Sequence, residues 1–311
     1  MVPRKLDVLV ALFAYGGNGG TTSLSTDVSD WKAVTYAKAL RDERVGRFAW
    51  TYISDTPITM TRNQAVIHAQ RQGFDVLIMV DSDMYPDIRL GRDPLAKPFW
   101  DSSFDYLYSH YEKGPVSVYS PYCGPDPHPN HGGESMVYIF QWTNISNGDI
   151  NEPGLKLEMF PRTEAVRMAG VQPVDAAGTG LCMFDMRLFD HLTMPYFDYE
   201  WKDDGPKCGH CGTYKPGPRA FKSSTEDCMH TRDMSLVGYR ELGYNPVLCN
   251  WDAWSGHWKP RCVDKPYLPT VETVNDRFTQ AVLRGHKANE RMMVITPDGV
   301  SNGKPAAVAA R

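Results

Sequence analysis

The most constraining stretch of this chain is the apolar run Val76-Leu77-Ile78-Met79-Val80, which ends at Asp81-Ser82-Asp83. Apolar residues without alternation suit a strand covered on both faces, as in a parallel sheet. The segment before the run carries helix signals: Thr61 as N-cap, Gln64 completing a capping box, and Gly73 as the stop. Helix, glycine and buried strand in succession predict an α/β fold. Carboxylates at the carboxyl end of such a strand stand where open α/β sheets bind ligands. Two of them one residue apart suit Mg²⁺ or Mn²⁺, which take one or two carboxylates and complete their shells with phosphate oxygens and water. Asp-Ser-Asp also makes an ordinary turn after a strand, since both residue types are turn formers.

The chain on either side extends the pattern. Asp7 to Tyr15 reads as a buried first strand, followed by the glycine-rich stretch Gly16 to Gly20. Those glycines would let backbone N–H groups approach a diphosphate, or simply form a surface loop; they match neither a P-loop nor G-x-G-x-x-G. Asp30 to Arg41 places Trp31, Val34, Ala37 and Leu40 on one helical face, and Phe48 to Ile53 reads as a second strand ending at Ser54-Asp55-Thr56-Pro57. Residues 88–114 show little period. Val116 to Tyr122 and Val137 to Trp142 read as strands, and the intervening loop carries His128 and His131, read as surface residues. Further on, a strand approaches Asp175, Gly178-Thr179-Gly180 permits close backbone approach, and Leu181 to Phe184 continues apolar. Asp185 then caps a helix through Leu192. Ser223 and Glu226 fit a second capping box, opening a helix that runs to Leu242 before Gly243 stops it. Pro246 to Trp251 returns as a strand, with Ser255-Gly256-His257-Trp258 beyond it.

These ordered segments, Asp-Ser-Asp after a buried strand, Gly-Thr-Gly, Thr-Glu-Asp at a helix start and a following His257, resemble GT-A glycosyltransferases over roughly residues 5 to 258. The form is closest to family-two-like transferases, including those carried by tailed bacteriophages. The resemblance implies a GT-A domain over residues 1–260, an acceptor-side insertion at about 200–222, and a helical extension and tail over 261–311. It implies a nucleotide-sugar donor, UDP-linked by preference, lying against Ala14, Tyr15, Asp55, Arg62, Asn63, Asp81, Ser82, Gly178, Thr179 and Gly180. It also implies a divalent cation held by Asp81, Asp83 and His257, with Mn²⁺ the better match to imidazole. Asp227, or failing it Glu226, becomes the general base that deprotonates an acceptor hydroxyl and gives inversion.

Composition bounds the remaining choices. The chain has 311 residues and a formal net charge of −4, against a broad basic face. No window is long and apolar enough for a membrane span, and the apolar N-terminal run lacks a small-residue cleavage site, so it reads as strand rather than signal peptide. Seven irregularly spaced cysteines do not suggest a secreted disulfide framework, which points to a cytoplasmic protein, in the host cytoplasm if viral. The sequon at Asn144 then carries no meaning.

Cys208-Gly209-His210-Cys211 departs from the family. It supplies two ligands of a structural Zn²⁺, with Cys228, His230, Cys249 or Cys262 as completing partners, or else it remains a pair of reduced thiols. Two acceptor classes stay open, a glycan or glycoconjugate and a hydroxymethylated base in DNA. For the second, Lys202, Lys207, Lys215, Arg219 and Lys222 would line a channel, although a solvated lysine-rich loop reads the same. The rival functions are a nucleotidyltransferase and a non-catalytic nucleotide-sugar-binding module of the same fold.

Overall fold

A computed structural model describes residues 4–14, 24–54, 57–124, 136–143, 156–160, 162–202, 221–258, 262–263, 294–296 and 299–301. The chain divides into two compact units, Met1–Pro266 and Tyr267–Arg311. In the second, β16 (Val294–Thr296) pairs with β17 (Gly299–Ser301) in a short antiparallel hairpin. The helix expected over Val271 to Met292 lies outside the described residues.

The first unit opens with β1 (Leu6–Phe13), α1 (Thr26–Ala39), β2 (Val45–Ile53), α2 (Ile58–Gln72) and β3 (Val76–Asp81). Then come β4 (Met84–Tyr85), α3 (Phe99–His110), β5 (Ser117–Tyr119), β6 (Ile139–Thr143) and β7 (Lys156–Met159). A short α4 (Arg162–Ala165) leads to β8 (Val171–Pro173), β9 (Ala176–Ala177), β10 (Leu181–Asp185) and a 3₁₀ turn at Met186–His191. The unit closes with β11 (Glu200–Lys202), β12 (Phe221–Ser224), α5 (Glu226–Val237), β13 (Val247–Asn250), β14 (Gly256–Trp258) and β15 (Cys262–Val263).

The central sheet has seven strands in the order β2-β1-β3-β10-β5-β13-β8. β1 lies parallel to β2 and β3, and β13 parallel to β5, whereas β10 and β8 run antiparallel to their neighbours. It is a mixed α/β fold around a large, mostly parallel sheet, as the apolar runs predict. Alternation along β1 and β3 explains why both are apolar throughout. Leu9, Ala11, Leu77 and Met79 face the layer containing α2 and α5, while Val8, Val10, Ile78 and Val80 face the layer containing α1 and α3.

Local expectations hold in part. Gly73 ends α2 in the left-handed region at φ 66° and Gly243 ends the π turn that extends α5 at φ 73°. The start of α2 is a correction: Pro57 is the N-cap, and Thr61 sits within the first turn, its hydroxyl donating to the Ile58 carbonyl at 2.7 Å. Pro57 fits that place because it has no N–H to satisfy. The capping box at Ser223 is likewise corrected. Ser223 belongs to β12, Thr225 is the N-cap of α5, and Glu226 turns inward toward Arg62. α3 occupies a region that showed little period, because Trp100, Phe104, Leu107 and Tyr111 form its buried stripe among polar residues.

Candidate active site

Three chain segments meet beyond the carboxyl end of β3. The β3 strand delivers Asp81, and a tight turn through Ser82 and Asp83 leads into β4. β4 pairs antiparallel with β14, with Met84 opposite His257 and Tyr85 opposite Gly256. That register carries the His257 imidazole to the turn, where Nε2 lies 3.2 Å from Asp83 Oδ2. The third segment is the start of α5, with Glu226 and Asp227 in its first turn.

A cavity of about 640 Å³ joins these segments, lined by Arg62, Asp81, Asp83, Glu226, Asp227 and His257 on its charged side. Ile58, Tyr122, Tyr138, Phe140, Met159, Thr225 and Cys228 form the less polar remainder. Arg62 is the buried cation of the cavity. Its Nη2 donates to both Asp81 oxygens at 3.2 and 3.0 Å, Nη1 donates to the Thr179 carbonyl at 3.0 Å and to the Thr179 hydroxyl, and Nε lies 3.7 Å from Glu226 Oε1. Burial opposes its charge, but Asp81, Glu226 and Asp227 outweigh burial and raise the guanidinium further above its ordinary value.

Asp81 shows the opposite balance. Burial, with Asp83, Asp227 and Glu226 adding to it, pushes the carboxyl up to about 6 even though Arg62 pulls it down. Four carboxylates line the cavity with one guanidinium; Asp81, Glu226 and Asp227 act on Arg62 while Asp83 meets His257, and the cavity carries an excess of negative charge. Asp227 Oδ1 accepts the Cys228 N–H at 2.8 Å and the Thr225 hydroxyl, which fixes the carboxylate at the helix start.

The donor set fits a divalent cation of the Mn²⁺ type. Asp83 and His257 already meet, and His257 Nδ1 is buried with no hydrogen-bond partner among the described residues. Such a cation needs only one or two protein ligands when phosphate oxygens and water complete its shell. Among the described residues no group of three or more His, Cys, Asp or Glu side chains is placed to hold a metal ion: Asp81, expected beside Asp83 and His257 as a ligand, has both oxygens on Arg62 Nη2.

Other candidate residues stand one layer back. Gly178, Thr179 and Gly180 do not line the cavity. Thr179 is fully buried against Arg62, and the glycines are there because Tyr122 leaves no room for a side chain. A Cβ on Gly178 would lie 2.8 Å from Tyr122 Cζ, and one on Gly180 would lie 2.6 Å from Met84 Sδ. Asn63 is occupied in the fold: its amide donates to the carbonyls of Thr59 and Phe197 and accepts the N–H groups of Tyr196 and Phe197. Ala14 is buried with its N–H on the Ile53 carbonyl, and Ser82 accepts the Ser25 N–H through its carbonyl.

Tyr15, Asp55, His128, His131, Cys208 and Cys211 lie outside the described residues, as do Lys207, Lys215 and Arg219. Lys202 and Lys222 sit on the paired strands β11 and β12. Of the further zinc candidates, Cys228 and Cys249 are free thiols. His230 gives Nδ1 to the Tyr196 carbonyl at 2.8 Å and stacks on Phe197. Sequence reasoning missed Tyr122, Tyr138, Phe140 and Met159, which non-local pairing brings together: Phe140 lies opposite Met159 in the β6–β7 register, and the Tyr138 N–H donates to the Tyr122 carbonyl at 3.0 Å.

No family model and no curated protein matches the chain. Solved structures with a similar arrangement include the crystal structure of A197 from STIV, at 8% identity over 85% of this chain and 95% of that one, with a TM-score of 0.44. A Bacillus anthracis protein described as a glucose-1-phosphate thymidylyltransferase, in complex with a sucrose, aligns at 11% identity over 80% of this chain and 89% of that one, with a TM-score of 0.34. GalNAc-T7 with UDP, GalNAc and Mn²⁺ aligns at 12% identity and a TM-score of 0.35, over 91% of this chain but 48% of that one. All three scores are below 0.5, and the functional reading rests on the cavity of this chain. No helix among the described residues is long and apolar enough to cross a membrane.

Proposed function

We propose that this chain is a metal-dependent glycosyltransferase that moves a sugar from a nucleoside-diphosphate donor, UDP-linked by preference, to an acceptor hydroxyl with inversion. One observation supports this above others: Asp81, Asp83, Glu226 and Asp227 line one cavity with a single guanidinium at the carboxyl end of the sheet. A diphosphate enters so negative a cavity only with a cation between the two sets of oxygens. Asp83 and His257 would hold that cation, with Asp81 beside them, and the carboxylate–imidazole pair favours Mn²⁺ over Mg²⁺. When bound, the ion supplies Lewis-acid neutralisation of the diphosphate leaving group.

The protein's own groups do the rest. Asp227, held by Thr225 and the Cys228 N–H, takes the proton of the acceptor hydroxyl. The freed oxygen forms its bond to the anomeric carbon as the bond from that carbon to the diphosphate oxygen breaks, and the nucleoside diphosphate leaves with the electron pair. Glu226 faces Arg62 and is only 6% exposed, so Asp227 is the better base and Glu226 the partner that holds Arg62. Tyr122, Tyr138, Phe140 and Met159 form the wall against which the sugar packs.

The test is product analysis with a panel of UDP-sugars and Mn²⁺. UDP release that disappears in Asp83→Ala supports the reading. Release of pyrophosphate from a nucleoside triphosphate and a sugar phosphate would replace it with a nucleotidyltransferase.

A further inference from the structure

The ribbon that carries Asp83 and His257 has a second face. Met84 and His257 point toward the protein, Met84 fully buried and the His257 side chain 12% exposed. Tyr85 lies opposite Gly256, and Trp258 follows two residues later, so both aromatic rings occupy the other face of the same ribbon, Tyr85 half-buried against the core that contains Phe13, Met79 and Trp254 and Trp258 the more open of the two. Their planes are within 5° of parallel with centroids 6.5 Å apart. Gly256 brings no side chain to the space across from Tyr85, and Trp258 remains 40% exposed.

The indole is not loose. Its Nε1 donates to Asp27 Oδ2 at 2.7 Å, which ties it to the first turn of α1, and the Trp258 N–H is bonded to the Asp83 carbonyl at 2.6 Å. A large aromatic face is thus held in one orientation, partly open to solvent, next in sequence to His257 and bonded through its backbone to Asp83.

We propose that Tyr85 and Trp258 form a stacking platform for a pyranose ring of a neutral saccharide acceptor. This rests on the glycosyltransferase reading and names its acceptor class. A pyranose presents a face of polarised C–H groups that fits the negative face of an aromatic ring, and its hydroxyls need acceptors at the rim. Asp27 supplies one, with Oδ2 on the indole and Oδ1 as the second acceptor of the same carboxylate. Charge argues against a nucleic-acid strand on this face. Asp27 and Asp83 are the acids tied to the ribbon, the chain has a net charge of −4, and a phosphate backbone requires lysine or arginine where it runs.

The experiment is calorimetric titration of the full chain with maltotriose, cellotriose, chitotriose and a hydroxymethylated DNA oligonucleotide, each in the presence of Mn²⁺ and UDP. At least one neutral trisaccharide is expected to bind wild type, to bind Trp258→Phe within about threefold, and to bind Trp258→Ala at least about tenfold more weakly. Thermal melts of both variants check that each is folded, and the phenylalanine variant separates stacking from the Asp27 bond. Binding of no saccharide, equal binding by wild type and Trp258→Ala, or Trp258-dependent binding of the DNA alone would each overturn the proposal. Titration of wild type with UDP and Mn²⁺ is read separately. If that complex forms and no saccharide binds, the platform is wrong and the donor site stands. If it does not form, the donor reading fails by itself.

Discussion

Arg62 and Asp81 form a buried ion pair, Nη2 to Oδ2 at 3.0 Å, with Arg62 2% and Asp81 14% exposed at the side chain. The guanidinium also reaches toward Glu226 from the other side, so it joins the end of β3 to the start of α5. This one cation holds two acidic segments of the cavity together, and its removal leaves both with uncompensated charge in a site of low solvent access.

Arg62→Met should therefore destabilise the protein by about 3–5 kcal/mol, the cost typical of breaking a buried pair from one side. Adding Asp81→Asn to that variant should restore part of the loss, since the stranded charge is then gone. Urea denaturation of the single and double variants measures both effects. A single variant as stable as wild type would mean that water reaches the pair and the cavity is open there.

Gly178→Ala tests the packing behind the cavity. The new methyl would meet the phenol of Tyr122, whose ring stands edge-on to His257 at 5.1 Å and beside Tyr138 at 5.3 Å. Overpacking of this kind costs about 1–3 kcal/mol. Because Tyr122 cannot shift without disturbing His257, Mn²⁺ affinity in the presence of UDP should fall as well. Lost stability with unchanged metal affinity would separate Tyr122 from the site.

His230 makes a pH prediction with a definite sign. Burial among Phe184, Phe189 and Phe197 lowers its pKa to about 3, with the Tyr196 carbonyl opposing the shift. The unfolded chain, with an ordinary value near 6.5, binds a proton that the folded state refuses between those limits. Stability should thus be full above about pH 6.5 and fall with acidification by up to about 1.4 kcal/mol per pH unit until about pH 3. His230→Phe should flatten that component of the acid limb. An unchanged pH slope in the variant would assign the acid sensitivity elsewhere.

Much of this framework is legible in the chain itself. The unbroken apolar runs at β1 and β3 require a sheet covered on both faces, and Asp81, Asp83, Glu226, Asp227 and His257 are visible because acids and a histidine at element ends stand out from their surroundings. The rest has non-local causes. Gly178 and Gly180 read as a ligand-facing segment, whereas their small size answers to Tyr122 and Met84, more than 50 and almost 100 positions away in sequence. Asn63 reads as a donor contact because it sits at a helix start, yet its amide is consumed by the 196–197 backbone. Thr61 and Ser223 match capping patterns that a neighbouring proline and a strand displace.

Asp227→Asn should lower kcat by about 10²–10⁴-fold, the range for loss of a positioned general base, while donor KM changes little. Steady-state kinetics with saturating acceptor make the comparison. If Glu226→Gln produced that kcat-only effect and Asp227→Asn did not, the base assignment would pass to Glu226.

The most direct measurement is pulsed electron paramagnetic resonance of Mn²⁺ bound to the full chain with UDP. Nitrogen modulation from one imidazole in wild type, lost in His257→Gln, is the predicted result, because His257 beside Asp83 is the nitrogen donor that lines the cavity. Mn²⁺ and UDP bound with no nitrogen modulation, or with modulation that survives in His257→Gln, would contradict the proposed metal site.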